Sequence, residues 1–216
     1  MELYGHPFSS YTWKALIALY EKQIDFDFRI LGPDYLENNQ PFAALAPFGK
    51  FPVLVNGDHV VPEATIIIEH LDLAISGVPM IPADSNDATA VRMFDRLFDN
   101  YVMTPMQAFV VNAMRPPERR DPVLLVEAAA SLDGSYAWLD RHLTSRRWAA
   151  AADFTLVDCA GAPSLFYADW VHPIPDTLTA LKAYRARVLA RPSVARCVEE
   201  ARPYRGLFPL GAPDRD

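Results

Sequence analysis

The sequence predicts an α+β fold in two parts: a sheet-and-helix domain of order β-α-β-α-β-β-α over residues 1–77, a linker at 78–86, and an all-helical domain over 87–216. Three observations predict it. The short apolar or alternating runs that read as strands all precede Pro62. Asn56-Gly57, a strong hairpin signal, lies between the last two of those runs. Beyond Ser76-Gly77-Val78-Pro79 the apolar residues recur only at helical spacing, interrupted by prolines.

Residues 3–6 are short and apolar-rich; Pro7 and Ser9-Ser10 then precede a helical pattern with Trp13, Leu16, Ile17 and Tyr20 on one face. Residues 25–30 alternate polar and apolar, as a half-buried strand does, and a parallel β-α-β unit is the natural closure. Residues 32–49 are polar and punctuated by proline, and read as a loop with a short helix. Residues 52–55 and 59–61 flank Asn56-Gly57-Asp58 as an antiparallel hairpin. Pro62 and Glu63 open the next helix, marked by Ala64, Ile67, Ile68, Leu71 and Ile75.

In the second part Val91, Phe94, Phe98, Tyr101 and Val102 mark one helix, and Leu132, Tyr136, Leu139 and Leu143 another. Residues 155–167, 178–188 and 193–202 supply three more, separated by breaks at Pro116-Pro117, Pro173 to Pro175 and Pro192.

A chain of 216 residues with 51% apolar and 22% charged residues can bury a sizeable core, which excludes wholesale disorder. Its 20 Lys+Arg against 27 Asp+Glu leave a net charge of −7, which argues against nucleic acid or an anionic membrane as partner. Small molecules or proteins are the expected partners. Cys159 and Cys197 form no C-x-x-C pair and no metal cluster with the five histidines, so a reducing compartment is the simplest setting and no metal is expected. Met1-Glu2-Leu3-Tyr4 has no basic region ahead of an apolar core, and no apolar stretch approaches the roughly 18 residues of a membrane span; the expected location is the cytoplasm.

Ser9 and Ser10 stand between a strand and a helix, where a hydroxyl and unpaired backbone N–H groups converge on the positive helix end, a place that favours an anion such as a thiolate. A plain N-cap explains one serine equally well. Pro52 opens a strand, where a cis bond would let Phe51 present its backbone to a ligand and an edge-strand start needs no ligand at all. Lys50 reads as a carboxylate contact or a solvated charge, and Glu63 as an ammonium contact or a favourable helix-dipole charge. Thr155 and Asp158 have the spacing of a capping box, a structural role. The histidines show no triad spacing, the cysteines read as buried structural thiols, and Gly49-Lys50 lacks the flanking residues of a phosphate-binding loop.

Together these pieces resemble the glutathione transferase superfamily over nearly the whole chain. Ser9-Ser10-Tyr11-Thr12-Trp13-Lys14 is similar to the Ser-Ser-Cys-Ser-Trp-Arg stretch of zeta-class members. The run from Leu45 through Ala46-Pro47-Phe48-Gly49-Lys50-Phe51-Pro52-Val53 to Leu54 looks like the family's Leu-Asn-Pro-x-Gly-Lys-Val-Pro-x-Leu segment, which carries its cis-proline. Pro62-Glu63-Ala64-Thr65 falls where the family has Glu-Ser and an apolar helix, and Thr155 to Asp158 matches its buried Ser/Thr-x-x-Asp box.

The resemblance implies a thioredoxin-like first domain and a serine-type transferase with no prosthetic group, in which glutathione is the co-substrate and a small apolar electrophile its partner. It implies that Ser9 hydrogen-bonds the glutathione sulfur with Ser10 as understudy, that Phe51 beside Pro52 pairs with the cysteinyl backbone, and that Lys50 meets the glycine carboxylate. Glu63 would meet the γ-glutamyl ammonium. Ala64 stands where the family has the serine that grips the γ-glutamyl carboxylate; its backbone N–H remains, and losing one charge-assisted hydrogen bond weakens binding by about 1.5–3 kcal/mol. An electrophile pocket is expected between the domains, near Phe8 and the helix of Tyr101, Met103, Met106 and Phe109. A homodimer is implied by the family alone. A glutathione-dependent isomerase and a non-catalytic binding protein on the same fold are the alternatives. Residues 1–80 carry −6 of the net charge of −7, so an anionic tripeptide would depend on local donors there.

Overall fold

Four strands form one mixed sheet in the computed structural model, which describes residues 1–216. They are β1 (Glu2–Gly5), β2 (Asp27–Ile30), β3 (Val53–Asn56) and β4 (His59–Pro62), in the order β2-β1-β3-β4. β1 runs parallel to β2, with Leu3 opposite Phe28, and antiparallel to β3, with Leu3 opposite Leu54. Asn56 belongs to the ladder, paired with His59, so Gly57-Asp58 alone forms the hairpin loop, and Gly57 takes the positive φ of 58° that such a turn requires.

The parallel β1–β2 pair is joined through α1 (Ser10–Glu21), whose Trp13, Leu16 and Ile17 are fully buried. Burial covers every residue from Thr12 to Leu19, because α1 lies between α3 (Ala64–Ala74) on one side and two helices of the second domain, α7 (Leu156–Val171) and α9 (Pro192–Ala201), on the other. The segment read as a loop with a short helix contains α2 (Leu36–Leu45), a ten-residue helix with Pro41 inside it and no buried residue. Pro62 does not open α3: it closes β4 opposite Val53, and Glu63 is the N-cap of α3, with φ 71° and ψ 118°.

The helical domain begins with α4 (Ser85–Leu97), which runs through a π-helical turn (Phe98–Met103) into α5 (Thr104–Met114). α6 (Pro122–Leu143) and α8 (Thr179–Leu189) complete it with α7 and α9. α7 is buried all round, from Leu156 to Asp169, and forms the axis of the domain. Its start carries the expected box: Asp158 Oδ2 accepts the Thr155 N–H at 3.0 Å. The Thr155 side chain faces the Asp158 N–H, but that N–H is taken by the Thr155 carbonyl at 3.0 Å and Thr155 Oγ1 completes no hydrogen bond.

A single core of 44 buried residues runs through both domains, with the Trp13 ring 4.9 Å from Phe166 and 5.5 Å from Tyr167. Cys159 and Cys197 are buried free thiols in this core, and burial pushes both well above the ordinary thiol range, which disfavours disulfide exchange. No helix is long and apolar enough to cross a membrane.

Candidate functional site

The loop between β1 and α1 is clamped from both domains. Trp13 Nε1 donates to the Pro7 carbonyl at 2.5 Å, and Tyr167 Oη, on α7, donates to the Phe8 carbonyl at 2.9 Å. His6 Nδ1 accepts the Phe8 N–H at 3.1 Å, which places the ring proton on Nε2; burial lowers the His6 pKa and keeps the ring neutral. This clamp fixes Ser9 as the N-cap of α1, where Ser9 Oγ accepts the Thr12 N–H at 3.3 Å. The capping bond uses a lone pair of Oγ and leaves its O–H free to donate. The Ser10 and Tyr11 N–H groups have no backbone acceptor, and no acidic residue lies in the first turn, so the positive end of α1 is uncompensated.

Two adjoining cavities open beside it. One, of about 420 Å3, is lined by His6, Ser9, Ser10, Lys50 and Phe51 on the sheet side and by Met106, Val110, Met114, Tyr167, Leu207 and Phe208 on the helical side. The other, of about 280 Å3, is lined by Phe51, Pro52, Glu63 and Ala64 together with Arg96, Asp99 and Asn100 of the helical domain. Tyr11, Lys50 and Phe51 line both and form their common wall. The fold therefore brings Ser9, Ser10, Lys50, Phe51, Pro52, Glu63 and Ala64 around one continuous cleft. The Phe51–Pro52 bond is cis, and neither the N–H nor the carbonyl of Phe51 is engaged by other backbone. Glu63 is exposed, makes no ion pair, and holds a positive φ that costs a non-glycine residue of order 1–3 kcal/mol.

Four polar residues of the smaller cavity have no counterpart in the sequence expectations: Tyr11, Arg96, Asp99 and Asn100. Arg96 and Asp99 belong to a buried charge cluster that joins the domains. Lys14 of α1, 1% exposed, lies 2.5 Å from Asp95 Oδ1 and 2.9 Å from Asp99 Oδ2, and donates to Thr65 Oγ1 at 2.8 Å. Arg96 closes the outer side, with Nη2 at 2.5 Å from Asp95 Oδ2 and 2.6 Å from Asp99 Oδ2. Burial raises the Asp99 carboxyl above its usual range and Lys14 pulls it back. The available signal was local: Asp95 and Asp99 follow Phe94 and Phe98 at helical spacing, so they fall beside the core face. Burial, followed by the nearby Asp99 charge, pushes the Tyr11 phenol up to about 12, so it stays a hydrogen-bond donor at neutral pH.

The apolar wall differs from expectation. Phe8 and Met106 face the larger cavity, but Met103 is 1% exposed in the core, Tyr101 is 59% exposed to solvent and Phe109 does not line the cleft. The wall is instead completed by Val110 and Met114 one and two turns on, by Tyr167, and by Leu207-Phe208 near the end of the chain.

Comparison with known proteins gives a consistent result. A family model described as glutathione S-transferase, N-terminal domain, matches residues 3–79, and one described as glutathione S-transferase, C-terminal domain, matches residues 101–192. Glutathione S-transferase F7 of Arabidopsis thaliana is 26% identical over 91% of this chain and 98% of its own length. Glutathione S-transferase Z1 of the same plant is 24% identical over 99% and 94%. Among solved structures, a glutathione S-transferase from Methylobacillus flagellatus KT with GSH bound superposes with a TM-score of 0.81 at 26% identity, covering 91% of this chain and 98% of that one.

Proposed function

The chain belongs to the glutathione S-transferase superfamily, and from that premise we propose that it holds glutathione along the cleft and uses Ser9 to keep the sulfur ionised for attack on an apolar electrophile. The observation that carries the reading is the Ser9 hydroxyl, polarised by the Thr12 N–H at 3.3 Å and free to donate at the uncompensated end of α1. A free thiol has a pKa of about 8.5, and moving it two units down needs about 2.7 kcal/mol of preference for the anion. One charge-assisted hydrogen bond, at about 1.5–3 kcal/mol, and a helix end, at about 0.3–1 kcal/mol, supply that amount.

The unpaired Phe51 backbone pairs with the cysteinyl residue, Lys50 meets the glycine carboxylate, and the exposed Glu63 carboxylate meets the γ-glutamyl ammonium. Ser10, the first residue of α1, lies next in line as a second hydroxyl. The thiolate then faces the apolar wall of Phe8, Met106, Val110 and Phe208, where an apolar electrophile is held against it and proximity supplies much of the acceleration. The resemblance further supports a homodimer, and the cytoplasm stays the proposed location on the grounds of the N-terminal sequence.

Ser9→Ala should lower the kcat/KM of conjugation to an aryl halide by about 10- to 100-fold, since the lost hydrogen bond is charge-assisted, and raise the pKa of bound glutathione by one to two units. Ser9→Thr keeps the hydroxyl and should recover most of the rate; Ser10→Ala should stay within about twofold. An unchanged Ser9→Ala beside a slowed Ser10→Ala moves the role to Ser10. If both keep the parent rate, the serine mechanism is wrong. Saturable glutathione binding with no conjugation would favour an isomerase or binding protein, and no calorimetric heat at millimolar glutathione would remove glutathione altogether.

A further inference from the structure

We infer that Arg96 grips the α-carboxylate of the γ-glutamyl end of glutathione, supplying from the helical domain the contact that the Ala64 side chain cannot make. The inference rests on the glutathione reading above and names a binding residue within it. Three observations carry it. First, the smaller cavity places Glu63, Ala64 and Arg96 on one wall system. Ala64 is 4% exposed and its side chain offers no polar atom.

Second, the guanidinium is held on one edge and free on the other. Nε donates to Asp95 Oδ2 at 3.1 Å, while Nη2 reaches Asp95 Oδ2 at 2.5 Å, Asp99 Oδ2 at 2.6 Å and Thr65 Oγ1 at 2.6 Å. Nη1, with two N–H donors, makes no hydrogen bond to the protein, and the side chain is 52% exposed. A guanidinium fixed in this way meets a carboxylate with little further loss of rotamer freedom.

Third, the charges match the ligand. Lys14 and Arg96 balance Asp95 and Asp99, so the cluster is neutral as a unit. On the wall of the smaller cavity stand the Glu63 carboxylate, which makes no ion pair, and the Arg96 guanidinium, whose Nη1 donors have no acceptor in the protein. This is a receptor for an α-amino-acid zwitterion, the group at the γ-glutamyl end, whereas Lys50 lies on the wall shared with the thiol cavity.

The test pairs protein variants with ligands trimmed at that end. Dissociation constants for glutathione, glutaryl-Cys-Gly (no ammonium) and 4-aminobutyryl-Cys-Gly (no α-carboxylate) are measured by calorimetry on the full chain, the parent beside Arg96→Gln and Arg96→Lys. Arg96→Gln should weaken glutathione and glutaryl-Cys-Gly by about 10- to 100-fold, as loss of a charged hydrogen-bond pair does, and leave 4-aminobutyryl-Cys-Gly within about twofold. Arg96→Lys keeps the charge that balances Asp95 and Asp99 but not the two-donor edge, and should show the same ligand selectivity at a smaller size. If Arg96→Gln does not fold, Arg96→Lys alone decides by that selectivity. Equal weakening of all three ligands, or of none, overturns the assignment to Arg96 while leaving the glutathione reading intact. Failure of the parent to bind any of the three overturns both.

Discussion

Asp158→Ala is expected to destabilise the protein by about 3–5 kcal/mol, well beyond the ~1 kcal/mol of an ordinary cap, because the carboxylate is a buried junction. It is fully buried and accepts from the Ala149 N–H at 3.0 Å, the Thr155 N–H at 3.0 Å and the Tyr184 hydroxyl at 2.7 Å. Removing it strands three donors that no water reaches, each at a cost of about 1–3 kcal/mol before relaxation. Burial pushes this carboxyl up in pKa, and the same three donors pull it down. The Tyr184 hydroxyl passes so close to α7 that a Cβ on Gly161 would lie 2.7 Å from it, so α8 cannot move off to relieve the loss without giving up that packing. Asp158→Asn keeps one acceptor and should cost about half as much. Urea unfolding of the three proteins measures this; a loss below about 1.5 kcal/mol for Asp158→Ala would mean that the junction is not a major anchor.

The parts of the fold that were legible in the sequence are those set by local chemistry. The hairpin at Gly57 follows from turn geometry, and the α1 and α3 faces follow from buried apolar residues at helical spacing. α2 leaves only a weak trace in the sequence because it buries nothing and carries Pro41, so neither periodicity nor propensity marks its length. The α4–α5 boundary was invisible for the opposite reason: the π turn keeps Phe98, Val102 and Met103 buried, and the apolar pattern runs on without a break. The same division applies to the cleft. Ser9, the Phe51–Pro52 pair and Glu63 owe their placement to a helix cap, a cis bond and a positive φ, all of which belong to their own stretch of chain. Arg96, Asp99 and the Phe208 wall owe theirs to tertiary contact: Lys14 and Asp99 meet across 85 positions of sequence, and Tyr167 reaches the Phe8 carbonyl across 159.

Lys14→Met should cost about 3–5 kcal/mol, because it leaves buried carboxylates without their inner partner. Lys14 and Asp95 are 1% and 0% exposed and Asp99 is 9% exposed, so solvent cannot replace the ammonium. Removing Asp95 as well, in Lys14→Met/Asp95→Asn, relieves the excess negative charge, leaves Arg96 to pair with Asp99, and should recover at least about 2 kcal/mol of the loss. Simple additivity of the two substitutions, or a loss under about 1 kcal/mol for Lys14→Met, would show that the ion pairs are not coupled in this way. The effect should reach the ligand cleft. Thr65 of α3 is held by Lys14 Nζ at 2.8 Å and donates to Asp95 Oδ2 at 2.9 Å, and Arg96 is held by both carboxylates, so one ammonium links the start of α3, where Glu63 and Ala64 sit, to the guanidinium across the cavity. Without it, Asp95 and Asp99 compete for Arg96 and draw it inward. Glutathione affinity should then fall in Lys14→Met by a factor that the double variant partly restores, although neither position lines the smaller cavity.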